Sequence, residues 1–216
     1  MQDFLLLTGI VLKAEPIGEY DRRIVILTKE RGKISAFARG ARKPNNKLMA
    51  ASNPFSFGKF KLYEGRNSYT LSDSEISNYF EELRLDLSGA YYGMYFLEIS
   101  DYYTRENSDE TNMLKLLYQS LRALTSETFD NRLVRYIFEI KAIAINGELP
   151  QANAVMKLSD AALYTIDYIF RTQTEKIFSF TVSQEVLCEV GAFADKVCKL
   201  VMDRNFKSLE ILENIE

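Results

Sequence analysis

Between Arg31 and Tyr63 the chain carries eight Lys or Arg residues and no Asp or Glu, although the 216-residue protein has a net charge of −3. The densest part reads RGKISAFARGARKPNNK. A one-sign block of this kind suits a polyanion, and nucleic acid is the first candidate. Spacing sharpens that reading. Lys33–Arg39 alternates, so Ile34, Ala36 and Ala38 share one face of a strand while Lys33, Ser35, Phe37 and Arg39 share the other. Phe57, Lys59, Lys61 and Tyr63 repeat the mixture of cation and ring. Cations take phosphates while exposed rings stack bases, which holds a single strand without reading its sequence. The loop Gly40–Lys47 adds three further cations. The candidate DNA contacts are therefore Arg22, Arg23, Lys33, Phe37, Arg39, Arg42, Lys43, Lys47, Lys59 and Lys61. Six such cations on single-strand phosphates would give a salt slope of about −4. The competing reading is a set of ordinary solvated strand faces, with Phe37 packed beneath a helix.

Catalytic chemistry is poorly supported. The chain has no histidine, which removes Ser-His-Asp and Cys-His catalysis and the commonest transition-metal ligand. There is no CxxC pair, no GxxxxGK[ST] loop and no GxGxxG. Glu98 and Asp101, at i and i+3 of one helix, could share a metal in a nuclease, but helix surfaces produce such pairs constantly. Cys188 has no base partner in the sequence. Cys188 and Cys198 fall on one helix, ~15 Å apart at its rise, too far for a disulfide, and read as buried small hydrophobes. We expect a protein that is not an enzyme, with no cofactor and no metal.

The elements that must position the basic run are strands. Phe4–Glu15, Arg22–Thr28, Lys33–Arg39, Phe55–Tyr63 and Ser68–Ser72 are β-type. Turns separate them at Pro16-Ile17-Gly18, Arg31-Gly32, Pro44-Asn45-Asn46, Asn53-Pro54 and Glu64-Gly65-Arg66-Asn67. Five strands in this length predict a small closed barrel, an OB-fold ahead of an SH3-like barrel. From Ile76 the period becomes helical. Helices are expected over Gly89–Arg105, Asp109–Leu124 (after an acidic first turn), Asp130–Ile145, Ser159–Arg171 and Ser183–Asp203. Asn146-Gly147 would close the third of these, and Ser159 and Ser183 would cap the last two. The fold class is α+β, with an OB-fold nucleic-acid-binding domain over 1–76 and an α-helical bundle domain over 77–216.

The charge follows this division. Residues 1–80 carry 13 basic and 8 acidic groups, net +5, and residues 81–216 carry 14 and 22, net −8. Two modules with different partners are implied. In the helical part, Arg132, Arg135 and Glu139 form a polar stripe, and Lys115, Gln119 and Arg122 form a second on the preceding helix. Together they could grip an acidic, hydrophobic peptide, against the blander reading of ordinary helix surface. The opening lacks the features of a signal peptide, and its apolar run is well short of the ~18 residues of a membrane span, so a cytoplasmic protein without a membrane partner is expected.

Specific blocks carry a resemblance. Gly9-Ile10-Val11-Leu12, Glu19-Tyr20-Asp21-Arg22, Leu27-Thr28, Gly32-Lys33, Ala38-Arg39-Gly40-Ala41-Arg42-Lys43-Pro44, Pro54-Phe55-Ser56 and Leu62-Tyr63 occur in order. They resemble the amino-terminal domain of the RecO family of bacterial recombination mediators, over about 75 residues. Arg132–Pro150 matches the family's helical part more loosely. The resemblance implies an OB-fold joined to a helical domain and a nucleoid-associated cytoplasmic protein. It also implies binding of single-stranded and double-stranded DNA and annealing of complementary strands. Family members act with RecR to load RecA onto strands coated by single-strand DNA-binding protein. The acidic, hydrophobic C-terminal tail of that coating protein docks on the helical domain, which points to Arg122, Arg132 and Arg135 as partner contacts. One departure is clear. Many members place a four-cysteine zinc loop after the position of Pro150, whereas Gln151–Phe180 contains no Cys. We expect no zinc there, and a compact hydrophobic or helical insert instead. The rival functional reading is a barrel that serves only as a protein-interaction adaptor.

Overall fold

A computed structural model describes residues 4–66, 68–212 and 214. Asn67, part of the expected Glu64-Gly65-Arg66-Asn67 turn, lies outside the described residues. Five strands form a closed barrel: β1 (Phe4–Ile17), β2 (Asp21–Thr28), β3 (Gly32–Ala38), β4 (Phe57–Glu64) and β5 (Tyr69–Asn78). They follow the order β1-β2-β3-β5-β4, and β4 returns to β1. All pairings are antiparallel except β3 with β5, a short parallel match of Ala36, Phe37 and Ala38 with Tyr69, Thr70 and Leu71. This is a five-stranded barrel of OB type. β5 runs six residues beyond the expected Ser72. Its outer part, Ser72–Glu75, is polar and lacks the apolar alternation that marks a strand, so only its ladder with β4 reveals it.

The interior follows from alternation. Leu7, Val11, Ile24, Ile26, Ile34, Ala36, Ala38, Phe60, Leu62 and Leu71 point inward and exclude water. Gly9 and Gly58 face one another across β1 and β4. A Cβ on Gly9 would meet the Leu27 carbonyl oxygen at 2.3 Å, and one on Gly58 the Glu75 oxygen at 2.2 Å. Only glycine lets the neighbouring backbones approach this closely where the barrel coils shut. Between β3 and β4, the short helix α1 (Leu48–Ala51) adds Leu48 to the barrel core.

The chain divides into two compact units, Met1–Glu81 with Ser100–Leu114 and Glu82–Ile99 with Lys115–Glu216. In the first, the end of α2 (Leu87–Tyr103) and the segment after it pack on the barrel. The Lys33 N–H donates to the Arg105 carbonyl (2.9 Å) and the Asn107 N–H to that of Arg31 (2.9 Å). The second unit contains the rest of α2, most of α3 (Thr111–Leu124), and α4 (Asn131–Ile145), α5 (Ala152–Val155), α6 (Asp160–Arg171), α7 (Gln184–Val201) and α8 (Lys207–Leu212). α3 starts two residues later than expected. Asp109 and Glu110 precede it, and the Asp109 carboxylate accepts from the Thr111 N–H. Ser159 and Ser183 cap α6 and α7 by accepting from Ala162 and Val186. α4 ends as read from sequence: Gly147 is left-handed (φ +74°), and the Glu148 and Gly147 N–H groups return to Ile143 and Ala144. α4 is the centre of the bundle, packed on α6 and α7 and buried almost throughout Leu133–Ile143. Among the described residues no helix is long and apolar enough to cross a membrane.

Candidate nucleic-acid interface

The alternation on β3 holds residue by residue. Ile34, Ala36 and Ala38 are buried, and Lys33, Ser35 and Phe37 point outward and are half-buried. The outward residues do not form one open cationic strip, because acids distant in sequence reach several of them. The Lys33 Nζ donates to the Asp101 carboxylate (3.0 Å) and to its backbone carbonyl (2.5 Å), so the end of α2 occupies that cation. Lys47 pairs with Asp73 at 2.9 Å. Lys59 and Lys61 stand across the β4–β5 ladder from Glu75 and Asp73. The Lys61 ammonium also sits 4.1 Å from the centroid of the Phe4 ring. The Lys47 hydrogen bond holds the Asp73 carboxyl below the usual range, so this acid stays charged at neutral pH.

Two further candidates have structural tasks. Arg22 points away from open solvent, and its Nη1 donates to the Met49 carbonyl, Ser52 Oγ and Asn53 Oδ1 at 2.8 to 2.9 Å. It ties β2 to α1 and is not placed as a free phosphate ligand, contrary to the expectation that it contacts DNA. Arg23 is exposed, donates to Ser35 Oγ (2.9 Å), and lies between Phe37 on β3 and Glu15 on β1. Glu15 is itself paired with Lys13, so Arg23 is only partly offset.

What remains is the segment just past β3. Arg39, Arg42 and Lys43 are exposed, and among the described residues no carboxylate lies within ion-pairing distance of them. Their loop is held in shape. Gly40 (φ +66°) donates its N–H to Asp21 Oδ1 at 2.7 Å, which spends that carboxylate on the backbone. The Arg42 N–H donates to the Tyr20 carbonyl (2.8 Å), and its Nη1 to the Gly18 carbonyl (3.2 Å). Asn46 Oδ1 accepts from the Leu48 N–H and starts α1. The basic loop is thus stitched to the β1–β2 turn. Lys43 Nζ lies 5.1 Å from the centre of the Tyr20 ring. Tyr20, which entered the sequence reading only as part of a motif, belongs to this surface. Its place in a turn gives no periodic signal for it; only the turn geometry does.

In the helical unit the expected polar stripe is not on the surface. Arg135 is 8% exposed and Glu139 fully buried. Glu139 Oε1 accepts from the Tyr95 hydroxyl (2.7 Å) and from Arg135 Nε (2.8 Å), while Arg135 Nη2 reaches Asp195 on α7. Burial pushes the Glu139 carboxyl up, against the opposing pull of Arg135. Arg132 is held by its own helix cap, Asp130, at 2.7 Å, and Arg122 is exposed on α3. The structure therefore does not join Arg122, Arg132 and Arg135 into one grip. Arg135 instead lines a cavity of about 320 Å³ with Lys199, Arg204, Met202, Phe206 and Leu209, beside the carboxylates of Asp195, Asp203 and Glu210. Arg132 lines another, of about 530 Å³, beside Glu82, Asp86, Glu127 and Asp130.

Glu98 and Asp101 turn to different partners, Ser208 and Lys33, and do not converge on a shared ion. Cys188 is exposed, not buried, because it falls beside the apolar stripe of α7 and not on it; Cys198 is half-buried. Gln151–Phe180 folds as α5, α6 and a short 3₁₀ turn, with Ala162, Ile166, Ile169 and Ile177 buried. Its residues do not fit zinc: it has no cysteine, and among the described residues no three His, Cys, Asp or Glu side chains group to hold a metal ion.

Comparison with known proteins adds a separate line of support. The family profile described as Recombination protein O N terminal matches residues 1–80, and the one described as Recombination protein O C terminal matches residues 84–154. The DNA repair protein RecO of Acetivibrio thermocellus is 26% identical over 246 residues, covering 99% of this chain and 98% of that protein. Those of Alkaliphilus metalliredigens and Bacillus subtilis are 34% and 33% identical, over 66% and 67% of this chain and 58% and 56% of their own lengths.

Proposed function

Since the chain belongs to the RecO family of DNA repair proteins, we propose that it is a non-enzymatic recombination mediator of the cytoplasm that binds single-stranded and double-stranded DNA through its barrel. The observation that carries this reading is the triad Arg39, Arg42 and Lys43: exposed, without a carboxylate partner among the described residues, and held by the β1–β2 turn. Cations on a braced loop meet phosphates without first giving up an ion pair or ordering a flexible segment.

Annealing follows from the same physics. Neutralising the phosphates of two strands lowers their repulsion and leaves the base edges free to pair. No nucleotide hydrolysis is required. The mediator role adds RecR, the single-strand DNA-binding protein and, indirectly, RecA. We assign the acidic, hydrophobic tail of the coating protein to the 320 Å³ cavity of the helical unit. Met202, Phe206 and Leu209 supply apolar walls there, and Lys199 and Arg204 supply cations beside Asp195, Asp203 and Glu210, so the apolar walls carry most of this assignment. The larger cavity, with four carboxylates and only Arg132 against them in its lining, is the more acidic of the two and suits such a tail less. Arg122 and Arg132 remain exposed candidates only for its outer residues.

The test is strand annealing by the full chain, without nucleotide, on bare complementary oligonucleotides. Wild type should accelerate annealing, and the double variant Arg39→Glu with Arg42→Glu should not. Equal acceleration by both would remove the triad from the mechanism. The adaptor reading is favoured at one place, the outer face of β1 and β4. Phe4 and Leu6 are about half exposed there, beside lysines already facing acids. That face suits a protein better than a phosphate backbone.

A further inference from the structure

We infer that Tyr20 is a base-stacking residue, and that it makes the barrel's DNA surface selective for single strands. The inference rests on the DNA-binding reading above and adds to it a residue, a ligand group and a strand preference.

Three features meet at Tyr20. It is 42% exposed on the β1–β2 turn, so the ring is reachable from solvent. The backbone beneath it is fixed: its carbonyl accepts from Arg42, and the adjacent Asp21 carboxylate accepts from Gly40. The Lys43 ammonium is already over the ring. An exposed aromatic on an immobilised turn, next to cations free of carboxylates, has the parts of a stacking platform. The acid of this turn, Glu19, raises the pKa of the Tyr20 hydroxyl, so its charge acts at the polar end of the side chain.

Selectivity follows from the geometry of the ligand. A base can lie on the ring only when it is out of its own stack, so a single strand can use Tyr20 and an intact duplex cannot. The three cations, in contrast, meet phosphates of either form. Phe37 differs from Tyr20 in being half-buried between Arg23 and Thr70.

The experiment uses the full chain and a fluorescein-labelled single-stranded oligonucleotide, alone or annealed to its complement, in titrations at several salt concentrations. Tyr20→Ala should weaken single-strand binding about ten-fold, leave duplex binding within two-fold, and keep the single-strand salt slope. Tyr20→Phe should bind as wild type, which also controls for folding. Equal losses on both DNA forms, no loss on the single strand, or failure of Tyr20→Phe to bind as wild type would each overturn the role of the ring. If Arg39→Glu with Arg42→Glu still lowers affinity in that case, the DNA-binding reading stands without Tyr20. A wild-type protein that binds neither form would end both.

Discussion

At the scale of single residues, a positive charge in the sequence is not the same as a positive charge available to a ligand. Arg22 and Arg39 are both candidates in the basic segment, yet one makes three internal hydrogen bonds and the other none that are described. Arg22→Ala should therefore act on stability. Three partly buried acceptors would lose a charged donor, at a cost of about 2 kcal/mol. Urea unfolding should show a lower midpoint, and Arg22→Lys should recover part of it, since all three contacts come from one nitrogen and an ammonium carries three donors. Arg39→Ala, on an exposed site, should leave the same unfolding curve unmoved. A midpoint unchanged in Arg22→Ala would mean that this contact does not tie β2 to α1.

At the scale of elements, α4 illustrates how a helix is set at its ends and its centre. Asp130 caps its start by accepting from the Arg132 N–H. The Arg132 side-chain hydrogen bond, with smaller help from the backbone, holds the Asp130 carboxyl below its ordinary value. A carboxyl depressed by folding stabilises the fold above its unfolded pKa of about 3.9, and that contribution is lost as pH falls through the lower folded value. Asp130→Ala should cost about 1 kcal/mol at pH 7, and the gap from wild type should close in the strongly acid range. Asp130→Asn should keep most of the cap and lose the pH dependence. At the centre of α4, Arg135→Ala would strand the buried Glu139 carboxylate and should cost about 3–5 kcal/mol. Differential scanning calorimetry would read it as a large fall in Tm. A small fall would show that Glu139 is protonated in the folded state or reached by water.

Legibility also divides at the scale of elements. The alternation of β3 and the caps of α4, α6 and α7 could be read because each depends on neighbours within a few positions. The pairing of Lys33 with Asp101 and of Lys47 with Asp73, and the placing of Lys59 and Lys61 across from Glu75 and Asp73, could not, because these acids come from other elements. The polar stripe of α4 misled for a related reason. A helix surrounded on nearly all sides hides its polar residues, and Asp195 of α7 supplies the partner that makes Arg135 tolerable inside. Tyr20 was missed because a turn has no period, and its role depends on a loop twenty residues away.

At the scale of the molecule, the excess of acid over base beyond residue 80 and the excess of base before it coincide with different architectures. On the proposed function, phosphate binding would fall to the barrel, and peptide recognition and the handoff between proteins to the helices. The segment Gln151–Phe180, which holds its own buried apolar residues in place of cysteines, should keep the helical unit folded without metal. Atomic emission analysis of the purified protein should find no stoichiometric zinc, and thermal unfolding should not change with EDTA. Zinc at one equivalent, or a Tm lowered by the chelator, would refute this.

The central claim is that Arg39, Arg42 and Lys43 hold DNA by charge. The most direct measurement is the salt dependence of single-strand affinity for wild type and for the variant with all three changed to Ala. Each lost phosphate contact removes ~0.7 from the slope of log K against log salt, so the variant should bind more weakly and its slope should be shallower by about 2. An unchanged slope, whatever the affinity, would contradict the account.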